Sequence, residues 1–262
     1  MRAIFHLCAG FMLAIAASLP AHGFSSAPYL PLADGNRWDY QKNGGAISYD
    51  QVLSTQFVNG YATKAIYDSE DGGTTYYSND ANGIRLHRES SPSVFVDGCG
   101  YSSFDAVYSP PLVRATPDVS LGQVINSSGN LSATFPSCGG TYSFTYQSSV
   151  TIVGFETITA PLGIFSALRV QTTVSLYYQG VFQGSTLVLS WVSSGIGSIQ
   201  SSQTSNGITD TYKLTSTNVV RTVPDAFSFT AQSGAAPNST VTSNTITVTG
   251  TTAASSIAIT GG

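Results

Sequence analysis

The sequence predicts an all-β protein built from twisted antiparallel sheets, arranged as a meander, a sandwich or a half-barrel. Short runs rich in Val, Ile, Thr, Tyr and Phe alternate along the chain with clusters of Gly, Asn, Ser and Asp. Charged residues make up only 9% of the 262 positions, so Gly, Ser, Thr and Tyr supply the polarity, as is typical of strands and turns. No segment combines a helical period with capping residues, so long crossovers between parallel strands are not expected.

The first 23 residues have the pattern of a secretory signal peptide. Arg2 supplies a positive charge, and the run IFHLCAGFMLAIAASL that follows is almost continuously apolar. Ala21 and Gly23 then provide the small residues of a cleavage site. The apolar run is shorter than the roughly 20 residues that a spanning helix needs. The protein is therefore predicted to be exported, to the periplasm, the extracellular space or the cell surface, with no transmembrane segment after cleavage.

Residues 24–222 are predicted to form one antiparallel β domain. Between its strands, Asn-Gly, Gly-Gly and Gln-Gly pairs supply the positive φ that tight hairpin turns require. Residues 142–148 alternate aromatic and small polar side chains, the pattern of a half-buried strand. The candidate strands are Arg37–Gln41, Ser48–Phe57, Tyr61–Tyr67, Thr74–Asn79, Gly83–Glu89, Thr141–Val153, Ala167–Gln179, Ser185–Trp191, Gly197–Thr204 and Ile208–Thr217.

Two cysteines of the mature chain, Cys99 and Cys138, are predicted to form a disulfide. Cys8 leaves with the signal peptide, and an even pair in an oxidising compartment favours a bridge. A metal or redox role is the alternative, but the chain has no CxxC, and a single mature histidine makes a poor zinc site. The segment between them, residues 98–138, holds four prolines and is predicted to be a loop-rich excursion that the bridge staples to the domain.

Acidic residues around Gly72-Gly73 are the only metal candidates. Asp68, Glu70, Asp71 and Asp80 are weak Ca²⁺ candidates, because their order matches neither an EF-hand nor a nonapeptide repeat. Two solvated turns are the favoured interpretation. No catalytic or cofactor-binding residue and no cofactor is predicted.

Few side chains suit catalysis. His87 is the only mature histidine and lies in an alternating strand, and the chain has no Gly-x-Ser-x-Gly motif. We therefore expect His87 on the strand surface rather than acting as a base. Glu70, Glu89 and Glu156 are the only glutamates available for paired-carboxylate chemistry, and the sequence brings no two of them together.

Three blocks in the β domain resemble TapB-like and related uncharacterised exported bacterial β domains. They are residues 29–40 (YLPLADGNRWDY), 156–170 (ETITAPLGIFSALRV) and 191–197 (WVSSGIG). They follow the pattern "YFPLxxGNxWxY", "ETVTVPAGTFxALRV" and "WYAPGVGxV". The chain departs from it at Ile164 and at Ser193-Ser194. The resemblance implies a twisted antiparallel fold and export, and it brings no catalytic residues.

The last segment, residues 223–262, changes composition to Thr, Ser and Ala. Its runs PDAFSF, SNTITV and ITGG resemble the first strands of an immunoglobulin-like module of bacterial surface proteins. About 40 residues with few large apolar groups cannot bury an independent core. We expect a short, partial β-sandwich-like module.

Charge and export limit the function classes. A formal charge of −4 argues against nucleic-acid binding, which needs a basic face. The leading hypothesis is an exported non-catalytic protein acting in cell-surface or periplasmic structure, adhesion or binding, with a protein or glycan partner or self-association through the C-terminal strands. The alternative is a carrier of a small lipid or glycan, or a hydrolase, with a cavity between the sheets.

Overall fold

The computed structural model describes residues 23–96, 98–205, 207–221, 224–225 and 249–252. Within these ranges the chain is all-β and antiparallel, as predicted, with two short 3-10 turns at Ala27–Tyr29 and Pro136–Cys138. No helix of these ranges is long and apolar enough to cross a membrane. The predicted signal peptide and most of the predicted C-terminal module lie outside the described residues.

The described ranges contain fourteen strands, and all ten candidate strands of the β domain are among them. The strands are longer than predicted because many continue through polar positions that face solvent. Their bounds are β1 Phe24–Ser25, β2 Arg37–Lys42, β3 Ile47–Val58, β4 Tyr61–Asp68, β5 Thr74–Asp80, β6 Gly83–Val96, β7 Gly100–Ala115, β8 Asp118–Val119, β9 Val124–Phe135, β10 Gly140–Ala160, β11 Gly163–Tyr178, β12 Val181–Ser193, β13 Gly197–Ser205 and β14 Ile208–Thr217.

Twelve of these strands close into one antiparallel barrel. The order around the barrel is β2 to β7, then β9 to β14, with β14 bonded back to β2. β1 and β8 form a separate two-stranded sheet. The meander is thus confirmed. The sandwich and half-barrel alternatives are wrong, because β2 and β14, the first and last strands of the barrel, pair with each other and leave the barrel without a free edge.

The segment 98–138 was expected to be a loop-rich excursion, and that expectation is wrong. It supplies strands β7 and β9 to the barrel wall. The adjacent prolines Pro110 and Pro111 are accommodated because β7 pairs irregularly with β6 between Val107 and Leu112. The predicted disulfide is present between Cys99 and Cys138, whose Cα atoms are 5.4 Å apart. It ties the connection between β6 and β7 to the turn between β9 and β10.

Antiparallel order gives the barrel two distinct ends. At the end that we call the hairpin end, short connections join β2–β3, β4–β5, β6–β7, β9–β10, β11–β12 and β13–β14. At the other end, called the terminal end, the chain enters β2 and leaves β14. The segment before β2 is held there by Asn79, whose Nδ2 donates to the carbonyl oxygens of Ala27 and Leu30, each at 2.9 Å.

A compact core closes the terminal end and joins all three resembling blocks. Trp38 is buried and its Nε1 donates to the carbonyl oxygen of Ile196. Phe165, Ile199 and Leu214 complete the same cluster. Gly197 lies against the indole of Trp38 and has a φ of 98°, which L residues rarely adopt.

Replacing Gly197 with alanine is expected to lower the free energy of unfolding by about 1–3 kcal/mol, the usual cost of a non-glycine residue in such a conformation. The added Cβ would also lie 3.4 Å from Nε1 of Trp38. Urea unfolding of Gly197→Ala measures the loss. Gly154→Ala is the matched control, because a Cβ at that strand position meets no atom within 4 Å. Equal stability of the two variants would contradict the prediction.

Candidate functional site

Three adjoining cavities run through the barrel interior. The first, here called the apolar cavity, has a volume of about 240 Å³ and lies toward the terminal end. The middle cavity, of about 390 Å³, shares Arg114 and Val188 with it. The acidic cavity, of about 380 Å³, shares Glu89 and Gln203 with the middle cavity and reaches the β4–β5 connection near the hairpin end. The barrel therefore encloses a row of spaces that passes from apolar to acidic.

Aliphatic side chains form most of the apolar cavity. They come from alternate positions of the strands, because residues two apart in a strand face the same side. Tyr29 and Leu30, from the segment that Asn79 anchors, cover it at the terminal end. The aliphatic lining residues are Leu30, Ile84, Val119, Ile152, Leu168, Val170, Val188 and Val192.

Arg114 stands between the apolar and middle cavities. It follows Leu112 on the inward face of β7, and its guanidinium borders both spaces. Its Nε is buried and has no hydrogen-bond partner among the described residues. Buried polar groups are normally paired, and an unpaired donor costs about 1–3 kcal/mol. An acceptor bound in the cavity would satisfy this donor.

Glu89 faces the middle cavity beside Arg114. The hydroxyl of Tyr108 donates to its Oε2 at 3.3 Å. Burial raises the pKa of Glu89, and the Arg114 guanidinium and the Tyr108 hydroxyl offset this only in part. Burial also raises the pKa of Tyr108. Both groups are thus shifted toward their neutral forms. The middle cavity therefore places the charge of Arg114 beside a carboxyl and a phenol whose pKa values are raised by burial.

The acidic cavity holds two carboxylates on adjacent strands. Asp50 of β3 and Asp68 of β4 are direct cross-strand partners, and both line the space. Burial, and next the charge of Asp68, raise the pKa of Asp50 to about 7. Burial also raises the pKa of Asp68. Like charges directly opposite each other in a sheet are unfavourable, so this pair is a local cost to the folded state.

The four calcium candidates do not come together. Glu70 binds Lys42 with a 2.7 Å ion pair, and Asp71 accepts a hydrogen bond from the backbone of Gly73. Asp80 lies at the β5–β6 connection, at the opposite end of the barrel, and pairs with Arg85 at 2.8 Å. In the part of the chain that the structure describes, no group of three or more His, Cys, Asp or Glu side chains is placed to hold a metal ion.

His87 is buried, contrary to its expected position on the strand surface. A bulge in β6 turns its ring toward Tyr61, with ring centroids 4.9 Å apart, and its Nε2 lies 2.9 Å from Oγ of Ser78. Burial and the charge of Arg85 lower the pKa of His87 to about 4. Its Nδ1 has no partner among the described residues, and neither His87 nor Ser78 lines any of the three cavities.

Two of the resembling blocks also meet on the outer barrel wall. Glu156 of β10 accepts hydrogen bonds from Arg169 of β11 at 2.9 Å and from Trp191 of β12 at 2.8 Å. These bonds lower the pKa of Glu156. Glu156 therefore braces three adjacent strands, and within the described ranges no second glutamate lies beside it. At this position the two blocks supply contacts that hold the fold together.

Sequence reasoning missed Arg114 and Asp50 altogether and gave Glu89 no position. A pattern could have drawn attention to one of them, because Leu112 and Arg114 share one face of β7. In a chain with only 9% charged residues, an ionisable group on an otherwise apolar strand face indicates an inward charge.

No family model and no curated protein matches the chain. Among solved structures it is similar to a protein of Parabacteroides distasonis provisionally described as a lipoprotein, with 10% identity, a TM-score of 0.38 and coverage of 72% of this chain and 98% of that one. It is also similar to the hypothetical lipoprotein YmcC of Escherichia coli, with 13% identity, a TM-score of 0.39 and coverage of 72% of this chain and 85% of that one. A third similar structure is provisionally described as an exported protein of Bacteroides fragilis with a YmcC-like fold. It has 12% identity, a TM-score of 0.33 and coverage of 72% of this chain and 98% of that one.

Proposed function

We propose that this protein is an exported, non-catalytic carrier that holds a fatty acid inside its barrel. The observation that carries the proposal is the position of Arg114, whose unpaired buried Nε stands where an apolar cavity meets a polar one. Ligand sites are typically enclosed, mostly apolar and oriented by a few polar groups. The predicted signal peptide supports the export part of the proposal.

The hydrocarbon chain would occupy the apolar cavity. Its walls are mostly aliphatic, and each buried methylene contributes about 0.8 kcal/mol. Tyr29 and Leu30 cover the inner end of this space, so the chain would enter from the hairpin end and point its methyl group at the terminal end.

The carboxylate would bind Arg114. A charge-assisted hydrogen bond contributes about 1.5–3 kcal/mol, more than a neutral one. Burial raises the pKa of Glu89, which reduces the repulsion between this carboxyl and an anionic head group. Gln183, Ser185 and Gln203 of the middle cavity offer further polar contacts around the head group.

A hydrolase fits the geometry less well. His87 and Ser78 form a hydrogen bond, but the ring is buried under Tyr61 and the lowered pKa opposes its protonation. A triad also needs an acidic partner on the second ring nitrogen, and Nδ1 of His87 has none among the described residues. Adhesion rests on the C-terminal module, which lies mostly outside the described residues, and it stays a prediction.

Replacing Arg114 with methionine is expected to weaken decanoate binding by about 10- to 100-fold, the equivalent of one charge-assisted contact. Displacement of a fluorescent fatty acid measures the affinity for decanoate and for 1-decanol, which has the same chain without the carboxylate. The natural protein should prefer decanoate, and Arg114→Met should lose this preference while still binding 1-decanol.

The matched control is Arg37→Met, which removes the same charge from the outer surface, where Arg37 pairs with Asp39. It should bind decanoate as the natural protein does. Thermal unfolding confirms that both variants fold. The carrier proposal fails if the natural protein takes up neither compound, and the role of Arg114 fails if Arg114→Met retains the preference for decanoate.

A further inference from the structure

We infer that the hairpin end of the barrel docks onto the surface of a lipid bilayer. Six large apolar side chains are 56–73% exposed there, on four of the hairpins. Each of these hairpins contributes one or two of them, and no single strand face contains them all. The six are Ile47 of β2–β3, Phe95 and Tyr101 of β6–β7, Val181 and Phe182 of β11–β12, and Ile208 of β13–β14.

The form of this surface favours a bilayer over a rigid protein partner. The apolar groups sit on separate tips, and the aromatic ones pack against a ring of their own hairpin: Phe95 with Tyr101 at 5.5 Å, and Phe182 with Tyr177 at 5.7 Å between ring centroids. Separate projections enter a deformable lipid interface independently, whereas a folded partner needs one continuous complementary surface. Aromatic rings also favour the headgroup region of bilayers.

The charges at this end specify the kind of lipid. Lys42 is held by Glu70 at 2.7 Å and by Asp210 at 2.9 Å, which leaves it little positive charge to offer. Asp68 and Asp71 add further negative groups nearby. Anionic lipids would therefore be repelled, and docking should depend on apolar insertion into a zwitterionic surface, with little sensitivity to salt.

Docking at this end would also place the proposed cavity toward the membrane. Asp71 and Gly73 of the β4–β5 connection line the acidic cavity, and Gln183 and Gly184 near the β11–β12 turn line the middle one. This part of the inference rests on the proposed fatty-acid carrier. A bilayer is the phase in which fatty acids dissolve, so the tips would hold the cavities next to the source of the ligand.

The test is co-sedimentation of the mature protein with phosphatidylcholine vesicles. Val181→Ser/Phe182→Ser and Phe95→Ser/Tyr101→Ser are each expected to lower the partition coefficient by about tenfold, since each removes two apolar anchors. Phe57→Ser is the matched control: Phe57 is 76% exposed, more than any of the six tip residues, but it lies at the terminal end, beside the β3–β4 connection. Its partition coefficient should not change.

A second measurement reports insertion directly. Phe182→Trp should be quenched by brominated phosphatidylcholine, and Phe57→Trp should not. Adding anionic lipid should weaken binding. The inference is overturned if the natural protein stays in the supernatant, if binding requires anionic lipid, or if the tip variants alter self-association in sedimentation velocity instead. The vesicles carry no fatty acid, so this test is independent of the carrier proposal. If the natural protein binds decanoate but not the vesicles, docking is refuted and the carrier function stands.

Discussion

Removal of the disulfide, by Cys99→Ala/Cys138→Ala, is expected to lower the free energy of unfolding by about 4 kcal/mol. The bridge closes a loop across a sequence separation of 39 residues, and the chain-entropy relation gives about 4 kcal/mol for a loop of that length. Domains have unfolding free energies of roughly 5–15 kcal/mol, so the loss is a large fraction of the total.

The structure adds a local reason for this effect. The β6–β7 hairpin extends beyond the part of β7 that pairs with β9, which ends at Asp105. Three of the contacts that return it to the barrel are the bridge, the hydrogen bond from the backbone of Ser137 to Oγ of Ser102 at 3.1 Å, and the rings of Phe104 and Phe135, whose centroids are 5.3 Å apart. Without the bridge, we expect the tip that bears Phe95 and Tyr101 to fray first.

Urea unfolding of the natural protein with and without reductant measures the effect. The reduced natural protein should match the double alanine variant, and reductant should leave the variant unchanged. Hydrogen exchange should show lost protection that begins in residues 91–104. Equal urea midpoints for the oxidised protein and the variant would show that the loop is already constrained in the unfolded chain, contrary to the prediction.

The local features of this fold were predictable because they depend on neighbouring residues. Asn43, Asn59 and Gln179 have positive φ values of 48–49°, and each stands at a predicted turn. The β-strand content follows from alternation and composition in the same way.

Barrel closure was not predictable from such patterns. Sandwiches, half-barrels and barrels all use strands with one face inward, so alternation is the same in each. Closure depends on the pairing of β2 with β14, where Tyr40 is opposite Leu214 across more than 170 positions of sequence. The prolines of β7 misled for another reason: a proline is excluded from a regular ladder, and residue alternation does not show that the pairing of β7 with β6 is irregular at that point.

The site was hidden for the same physical reason. Arg114, Glu89 and Asp50 lie on three different strands, and Glu89 and Asp50 look like ordinary surface charges when their strands are considered alone. Only closure of the barrel turns the three side chains toward one interior. Burial then changes their chemistry, which raises the pKa of Glu89 and of Asp50.

Replacing Asp50 with asparagine is expected to stabilise the protein above neutral pH by up to roughly 4 kcal/mol, because each tenfold change in proton affinity corresponds to about 1.36 kcal/mol. The pKa of Asp50 is about 7 in the folded protein against an ordinary value of 3.8. The folded state therefore binds this proton more tightly than the unfolded chain does, and the natural protein loses stability as pH rises from about 4 to 7. Asparagine resembles the neutral acid in shape and has no proton to lose.

Urea unfolding of the natural protein and Asp50→Asn at a series of pH values from 4 to 8.5 checks this prediction. The two should be nearly equal at pH 4, diverge through pH 7 and stay apart by a constant amount above it. Asp118→Asn controls for the change in net charge, because Asp118 is exposed and lies in the separate sheet with β1. A difference that is already complete at pH 4 would mean that packing, rather than the ionisation of a carboxylate facing Asp68, accounts for it. A difference that grows with pH would show that the folded barrel retains an unfavourable interior charge at neutral pH.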